Sequence, residues 1–174
     1  MIYKALRTVF LFGVFASYLG CGPYSFTGIS IDSNTKTFQV NYFQNTAGNN
    51  IGSVFEPGLD RDFTLALQDL LLNQTNLKLV ASDGHLIYEG EITEYRVSPM
   101  TATANQTASQ NRLTISVNVR FFNTKKEEED FEKRFSFYYD FPAATQVNTI
   151  KSEAHEAIFE RITQNIFNES LAKW

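Results

Sequence analysis

Apolar and polar positions change period several times along the chain, and each change marks an element. Lys36 to Phe43 alternates Phe38, Val40 and Tyr42 against Gln39 and Asn41, which predicts a strand. Asn45 to Ser53 is polar and glycine-bearing and predicts a loop. From Pro57 to Gln74 the period becomes helical, with Leu59, Phe63, Ala66, Leu67 and Leu70 on one stripe and Pro57 suited to a first turn. Leu77 to Val80 reads as a short strand closed by the turn Ser82-Asp83-Gly84. Leu86 to Val97 is a longer strand that points Leu86, Tyr88 and Ile92 inward, then changes phase to Tyr95 and Val97. That phase change predicts a bulge near Glu94.

The clearest alternation runs from Arg112 to Asn123, where Leu113, Ile115, Val117, Val119 and Phe121 face one way and Thr114, Ser116, Asn118 and Arg120 the other. Phe131 to Phe141 alternates Phe131, Phe135, Phe137 and Tyr139 against Glu132, Arg134 and Tyr138, and pairs naturally with it as a hairpin. The charge run Lys125 to Glu129 between them reads as a solvated tip. From Asn148 to Lys173, Ala154, Ile158, Ile162 and Ile166 recur every four residues beside Phe159 and Phe167, with Glu153, Glu156 and Glu160 opposite. An amphipathic helix with an acidic polar face packs on a core rather than on a membrane. The order predicts an α+β two-layer sandwich: a sheet of about four strands, mostly antiparallel, with both helices on one face.

Composition narrows the class. With 174 residues, 43% hydrophobic and 20% charged, the chain is globular and long enough for one domain. Sixteen Phe and eight Tyr against one Trp suit a strand-rich core. A formal charge of −4 argues against a nucleic-acid partner. One cysteine excludes an internal disulfide framework, and two distant histidines, His85 and His155, give no metal cluster. No metal or cofactor is expected.

The first twenty residues read as an address. Lys4 and Arg7 precede the apolar run Val9 to Leu19, which is short for a membrane span and right for a secretory signal. The only cysteine follows at once, and Leu19-Gly20-Cys21 resembles the bacterial lipobox, with Tyr18 departing from its usual pattern. Residues 1–20 are therefore expected to be a lipoprotein signal peptide, Cys21 the lipidated residue, and 21–174 a single domain. Removing Lys4 and Arg7 takes the formal charge from −4 to −6. Gly22 to Gly28 carries no charge and no long tether, so the body is expected close to the membrane. The acidic cluster of surface-exported lipoproteins is absent there, which favours the periplasmic side.

Catalytic chemistry finds no support. His85 reads as a solvated turn residue and His155 as a surface residue beside Glu156. Asp60 and Asp62 suit the N-terminal dipole of the first helix. There is no phosphate-binding glycine loop and no nucleophile elbow. The segment without an ordinary explanation is Pro99 to Asn111, thirteen uncharged residues between two strong strands. Hairpin connections usually take about 2–5 residues, so a longer one points to contact or mobility. Thr103, Asn105 and Thr107 are its candidate contact residues.

Several segments together resemble the LptE family, in its Bacteroidota-type branch. They are the run from Gly20 to Gly28, Phe63 to Leu67, Ser82 to Ile92, Asn111 to Ile115, and the terminal Trp174. The resemblance implies a fold of two helices on a four-stranded sheet. It also implies a non-enzymatic outer-membrane lipoprotein that faces the periplasm, plugs the LptD-type β-barrel and helps deliver lipopolysaccharide to the outer leaflet. Of the family's functional residues only the lipidated cysteine, Cys21, carries over. Because a body of charge −6 attracts acidic glycolipids poorly, any such contact needs a local patch. Arg112 and Arg120 share a face if no bulge intervenes, and Arg96 on the partner strand is placed to join them. The residues themselves leave two other readings open: a periplasmic lipoprotein that serves as a binding module or assembly factor for another envelope complex, and a small envelope hydrolase.

Overall fold

Two long hairpins set the frame. The computed structural model describes residues 31–100 and 109–172. In chain order the elements are β1 (Thr37–Val40), β2 (Gln44–Asn45), α1 (Leu59–Gln74), β3 (Lys78–Leu79), β4 (Leu86–Met100), β5 (Gln110–Asn123), β6 (Phe131–Pro142) and α2 (Val147–Leu171). Single 3-10 turns follow β2 at Ala47–Asn49 and precede β6 at Glu127–Glu129, the latter within the predicted charged tip. The sheet order is β3-β1-β4-β5-β6, with β2 also beside β4.

The sheet differs from expectation in strand number and direction. Among the described residues it has six strands, and it is mixed: β1 runs parallel to β3 and β4, and β2 runs parallel to β4. The long β4–β5 and β5–β6 ladders are antiparallel and carry most of the pairing. Parallel neighbours require a crossover, and α1 supplies the one from β2 to β3. The return from β3 to β4 is only a few residues long and lies flat across β1. Gly84 N–H donates to Gln39 Oε1 (3.3 Å), His85 N–H to Thr37 Oγ1 (3.1 Å), and Lys36 N–H to His85 Nδ1 (2.9 Å). A Cβ on Gly84 would stand 2.7 Å from Gln39 Cβ, so only glycine fits there. His85 thus secures the start of β1 rather than standing free in a turn.

The helices cover one face. α2 packs on β6 and β5, and α1 packs on β1, β2, β3 and α2. The inner row of β5, from Leu113 to Phe121, is fully buried, as are Tyr88, Ile92, Phe63, Ala154, Ile158, Ile162 and Ile166. Phe63 joins the two helices to the sheet, edge-on to Phe43 (5.0 Å between ring centres) and to Phe159 (5.4 Å). The Tyr88 hydroxyl, buried in that core, is matched by Ser170 Oγ at 3.0 Å. The α1 stripe differs from the pattern: Ala66 and Leu70 are only half-buried, while Leu71 and Thr64 join the buried side. Thr64 can do so because its hydroxyl donates to Asp60 O (2.7 Å) and accepts the Phe43 N–H (3.2 Å).

The predicted bulge is present. β4 pairs Ile92 with Val117 and then Glu94 with Ser116, leaving Thr93 extra and handing the inner face from Ile92 to Tyr95. Val97 follows the inward phase but is 38% exposed, although its cross-strand partner Leu113 is fully buried. The long connection is also shorter than it reads. Pro99 pairs with Asn111 and Met100 with Gln110, so both ends of the thirteen-residue segment belong to the ladder. β1 and β2 have ended before that point, so Pro99 sits where β4 has no second partner strand for its missing N–H to serve.

Candidate functional site

The face away from the helices is open, and its residues form cross-strand rows. Reading β4 to β5 to β6, the rows are Glu89–Arg120–Glu132, Glu91–Asn118–Arg134, Glu94–Ser116–Ser136, Arg96–Thr114–Tyr138 and Ser98–Arg112–Asp140. Alternation alone delivers this set, because every second residue of each strand points outward. The bulge at Thr93 keeps the even-numbered residues after Glu94 on the same face as the odd-numbered ones before it.

The three arginines singled out in the sequence are brought to this one face, and each is matched by an acid. Arg112 holds Asp140 in a two-point contact, Nε–Oδ1 at 2.7 Å and Nη2–Oδ2 at 2.8 Å, with its guanidinium carbon 3.5 Å from the Tyr138 ring centre. The hydrogen bond from Arg112 draws the Asp140 carboxyl below the usual range, against the opposing effect of its partial burial. Arg120 Nε donates to Glu89 Oε1 at 3.0 Å. Arg96 reaches Glu94 Oε1 at 3.0 Å, while Glu94 Oε2 accepts from Arg134 Nη2 (2.6 Å) and from Ser116 Oγ (2.8 Å). In the five rows there are five carboxylates to four guanidiniums, so the face is a charge-matched lattice and not a basic patch. Arg112 and Arg120 stand roughly 27 Å apart at about 3.4 Å per residue, too far to hold one phosphate together.

The acids that complete this lattice, Glu89, Glu94 and Asp140, carry as much of the surface as the arginines do. Their signal was present in the outward phase of β4 and β6, but their partners become visible only once register is known. Thr103, Asn105 and Thr107 lie outside the described residues, as does Cys21.

A second polar cluster lies on the helix side. His155 is half-buried rather than a surface residue: its Nε2 is 3.2 Å from the Tyr95 hydroxyl, and its ring packs on Tyr95 and Phe159. Glu56, whose side chain is 13% exposed, pairs with Lys151 one turn before His155. Burial pushes the Tyr95 hydroxyl up to about 12, with the Glu56 charge adding to it. Burial lowers the His155 pKa from its ordinary value. Glu56 and Asp62 oppose that shift, and Lys151 adds to it.

Neither cluster assembles a nucleophile beside a base. Among the described residues no three His, Cys, Asp or Glu side chains gather as metal ligands would, and no helix is long and apolar enough to cross a membrane. What the open face offers is hydrogen bonding over a broad, nearly neutral polar surface.

Comparison with known proteins places this geometry among relatives. The family model described as LptE, lipopolysaccharide-assembly, matches residues 35–170. No curated protein sequence matches the chain. Among solved structures, the hypothetical protein CT253 from Chlamydia trachomatis is similar in fold, with a TM-score of 0.53 at 11% identity over 80% of this chain and 99% of that one. A minor lipoprotein from Acinetobacter baumannii aligns at 0.45 and 14% identity, covering 80% of this chain and 98% of its own. The rare lipoprotein B from Shewanella oneidensis aligns at 0.40 and 14%, covering 75% and 89%.

Proposed function

The chain belongs to the LptE family of lipopolysaccharide-assembly proteins, and from that premise we propose that it is a non-enzymatic outer-membrane lipoprotein. In this reading it is anchored through Cys21, faces the periplasm, and supports an LptD-type β-barrel by occupying its lumen while lipopolysaccharide passes to the outer leaflet. The observation that carries the reading is the span of the family match, which runs from just before β1 to the last turn of α2.

The open face supports it physically. A plug must fold by itself and present an outer surface that a polar lumen tolerates. The helices bury the apolar side of the sheet, so the core needs no partner to be closed. The outward side pairs its charges internally, and neutralised pairs cost less to desolvate than single charges when a wall closes over them. Lipid attachment supplies the remaining requirement, because acyl chains contribute roughly 0.8 kcal/mol per buried methylene and two or more hold a protein stably.

The test is affinity capture of the tagged full-length chain from detergent extracts, followed by identification of what comes with it. A large β-barrel in near-equal amount is the expected result. Its absence from wild-type captures, or a soluble periplasmic complex in its place, overturns the reading in favour of a binding module for another envelope complex. The Cys21→Ser variant, labelled with a fatty acid in growing cells, is expected to take up no label.

A further inference from the structure

Between β1 and β2 the chain leaves the edge of β4 and comes back. Val40 is the last residue of β1 opposite Tyr88, and β2 rejoins with Gln44 opposite Glu91. The excursion has a packing cause. Phe43 turns into the core over Gly90, where a Cβ would collide with the Asn118 carbonyl oxygen and stand 2.9 Å from the Phe43 ring, so residue 90 must be glycine. The same excursion leaves Tyr42 59% exposed and opens a cleft of about 270 Å³ on the outer face, floored by Gly90.

The chemistry of its walls is specific. Asn41, Gln44, Glu89, Glu91 and Arg120 line the cleft beside the exposed Tyr42. Glu89 is held from two sides, accepting from Asn41 Nδ2 (3.1 Å) and Arg120 Nε (3.0 Å), and Asn41 Oδ1 accepts from Gln39 Nε2 (2.7 Å). Those bonds fix one wall before any ligand arrives. Gln44 and Glu91 have no side-chain hydrogen-bond partner among the described residues, so donors and acceptors are left to be met. Two carboxylates against one guanidinium, itself engaged by Glu89, disfavour a phosphate. An acyl chain would meet a mostly polar lining. The volume lies just under the ~300–1,000 Å³ that suits drug-sized ligands, which leaves room for a group the size of one sugar ring.

We propose that this cleft binds a neutral saccharide. Planar amide, carboxylate and guanidinium groups bond adjacent hydroxyls, each of which both donates and accepts, and an aromatic ring gives the apolar face of the sugar a surface to rest on. The proposal rests on the assembly reading only for the source of the sugar, whether a glycolipid headgroup or a free saccharide.

The experiment is saturation-transfer NMR on the full-length chain in a sugar-free detergent, with glucose, galactose, mannose and N-acetylglucosamine each at about 10 mM, enough to populate a millimolar site. Transfer to the ring protons of at least one sugar is expected. Gln44→Ala or Glu91→Ala should weaken it roughly three- to tenfold, the worth of one hydrogen bond, while Asp140→Ala, in the row at the far end of the same face, should leave it unchanged. Inorganic phosphate should not compete. Displacement of the sugar by purified lipopolysaccharide assigns the site to lipid-borne glycan, and no displacement assigns it to free saccharide. No transfer from any of the four sugars, transfer indifferent to both variants, or displacement by phosphate overturns the proposal. Barrel capture by Gln44→Ala, outside the five open-face rows, should equal wild type, so failure of the cleft and failure of the assembly reading give different results.

Discussion

Arg112 and Asp140 stand directly opposite each other on β5 and β6 and share two hydrogen bonds, with the Tyr138 ring stacked on the guanidinium. The residue that looked most available for an acidic glycolipid is therefore already engaged. Recruiting it would mean breaking a bidentate pair. The same holds for Arg96 and Arg120, so the outer face presents dipoles and matched pairs in place of open positive charge.

The Arg112–Asp140 pair makes stability depend on pH at the acid end. Asp140 titrates below its unfolded value of 3.8, so its contribution is fully present above that value and is lost as pH falls through the folded pKa. The pair is about a third exposed, which limits its worth to about 0.5–1 kcal/mol. Asp140→Asn should cost that much in urea unfolding at pH 7. The gap between variant and wild type should narrow as pH falls below 3.8; a gap that stays constant throughout acid titration would contradict the linkage.

His155 gives the opposite end of the same argument. Its folded pKa lies below the unfolded 6.5, chiefly because burial disfavours the charged ring. Between the two values the unfolded chain holds more protons, so stability is full above 6.5, declines as pH falls through the window, and levels off below the folded pKa. His155→Gln keeps a polar partner for the Tyr95 hydroxyl and removes the titration. Thermal unfolding from pH 7.5 to 5 should fall less steeply for this variant than for wild type, and parallel curves would show that His155 is not the group responsible. Its half-buried place could not be read from its neighbours in sequence, because Tyr95 lies sixty residues away and reaches it only after the bulge turns β4 over.

That dependence on register separates what the chain declares from what it conceals. The inner row of β5 and the four-residue ladder of α2 follow from one-body burial, and local period reports it directly. The bulge at Thr93 is legible for the same reason, since the apolar phase itself shifts. The break between β1 and β2 is not, because Tyr42 extends the alternation of Phe38 and Val40 as a single strand would, yet the excursion exposes Tyr42 and buries Phe43 instead. Nor are the parallel partners of β1, or the acids that answer Arg96, Arg112 and Arg120. Each of those is a relation between distant strands, fixed by which pairings bury the core best.

Val117 and Thr114 lie three residues apart on β5 and face opposite ways. Val117 is fully buried against Ile92 and Phe135, whereas Thr114 sits between Arg96 and Tyr138 on the open face. Val117→Asp should cost about 3–5 kcal/mol or prevent folding, because its charge would have no partner. Thr114→Asp should cost under about 1 kcal/mol, with Arg96 beside it to offset the charge. Equal losses in denaturant midpoint would mean that both faces of the sheet are buried.

Gly84→Ala tests the strand crossing over β1. The added methyl would meet Gln39 Cβ at 2.7 Å and the Gln39 backbone nitrogen at 2.8 Å, and the backbone cannot yield without loosening the Lys36–His85 and Thr37–His85 bonds. A loss of about 1–3 kcal/mol is expected, against a few tenths for Ser82→Ala in the same turn. Similar losses for the two would remove the packing argument for glycine.

The last prediction separates the two candidate surfaces for barrel contact, the β4–β5 connection and the open face. Met100 and Gln110 are direct antiparallel partners, so a two-residue Asn-Gly turn can replace residues 101–109 without disturbing the register below it. The connection is uncharged and rich in Thr, Asn and Gln, which gives it hydrogen-bonding capacity at lower desolvation cost than charges carry. The shortened chain should keep its melting temperature, since the core rows begin at Leu113 and Val117 and lie away from the turn. If the connection makes the contact, the same change should reduce barrel capture and make cells sensitive to large antibiotics that an intact outer membrane excludes. If capture and permeability stay at wild-type level, the contact belongs to the open face. Arg112→Glu then becomes the informative change: it sets two acids opposite each other in the last row, where a neutral lattice is what a polar wall can accept.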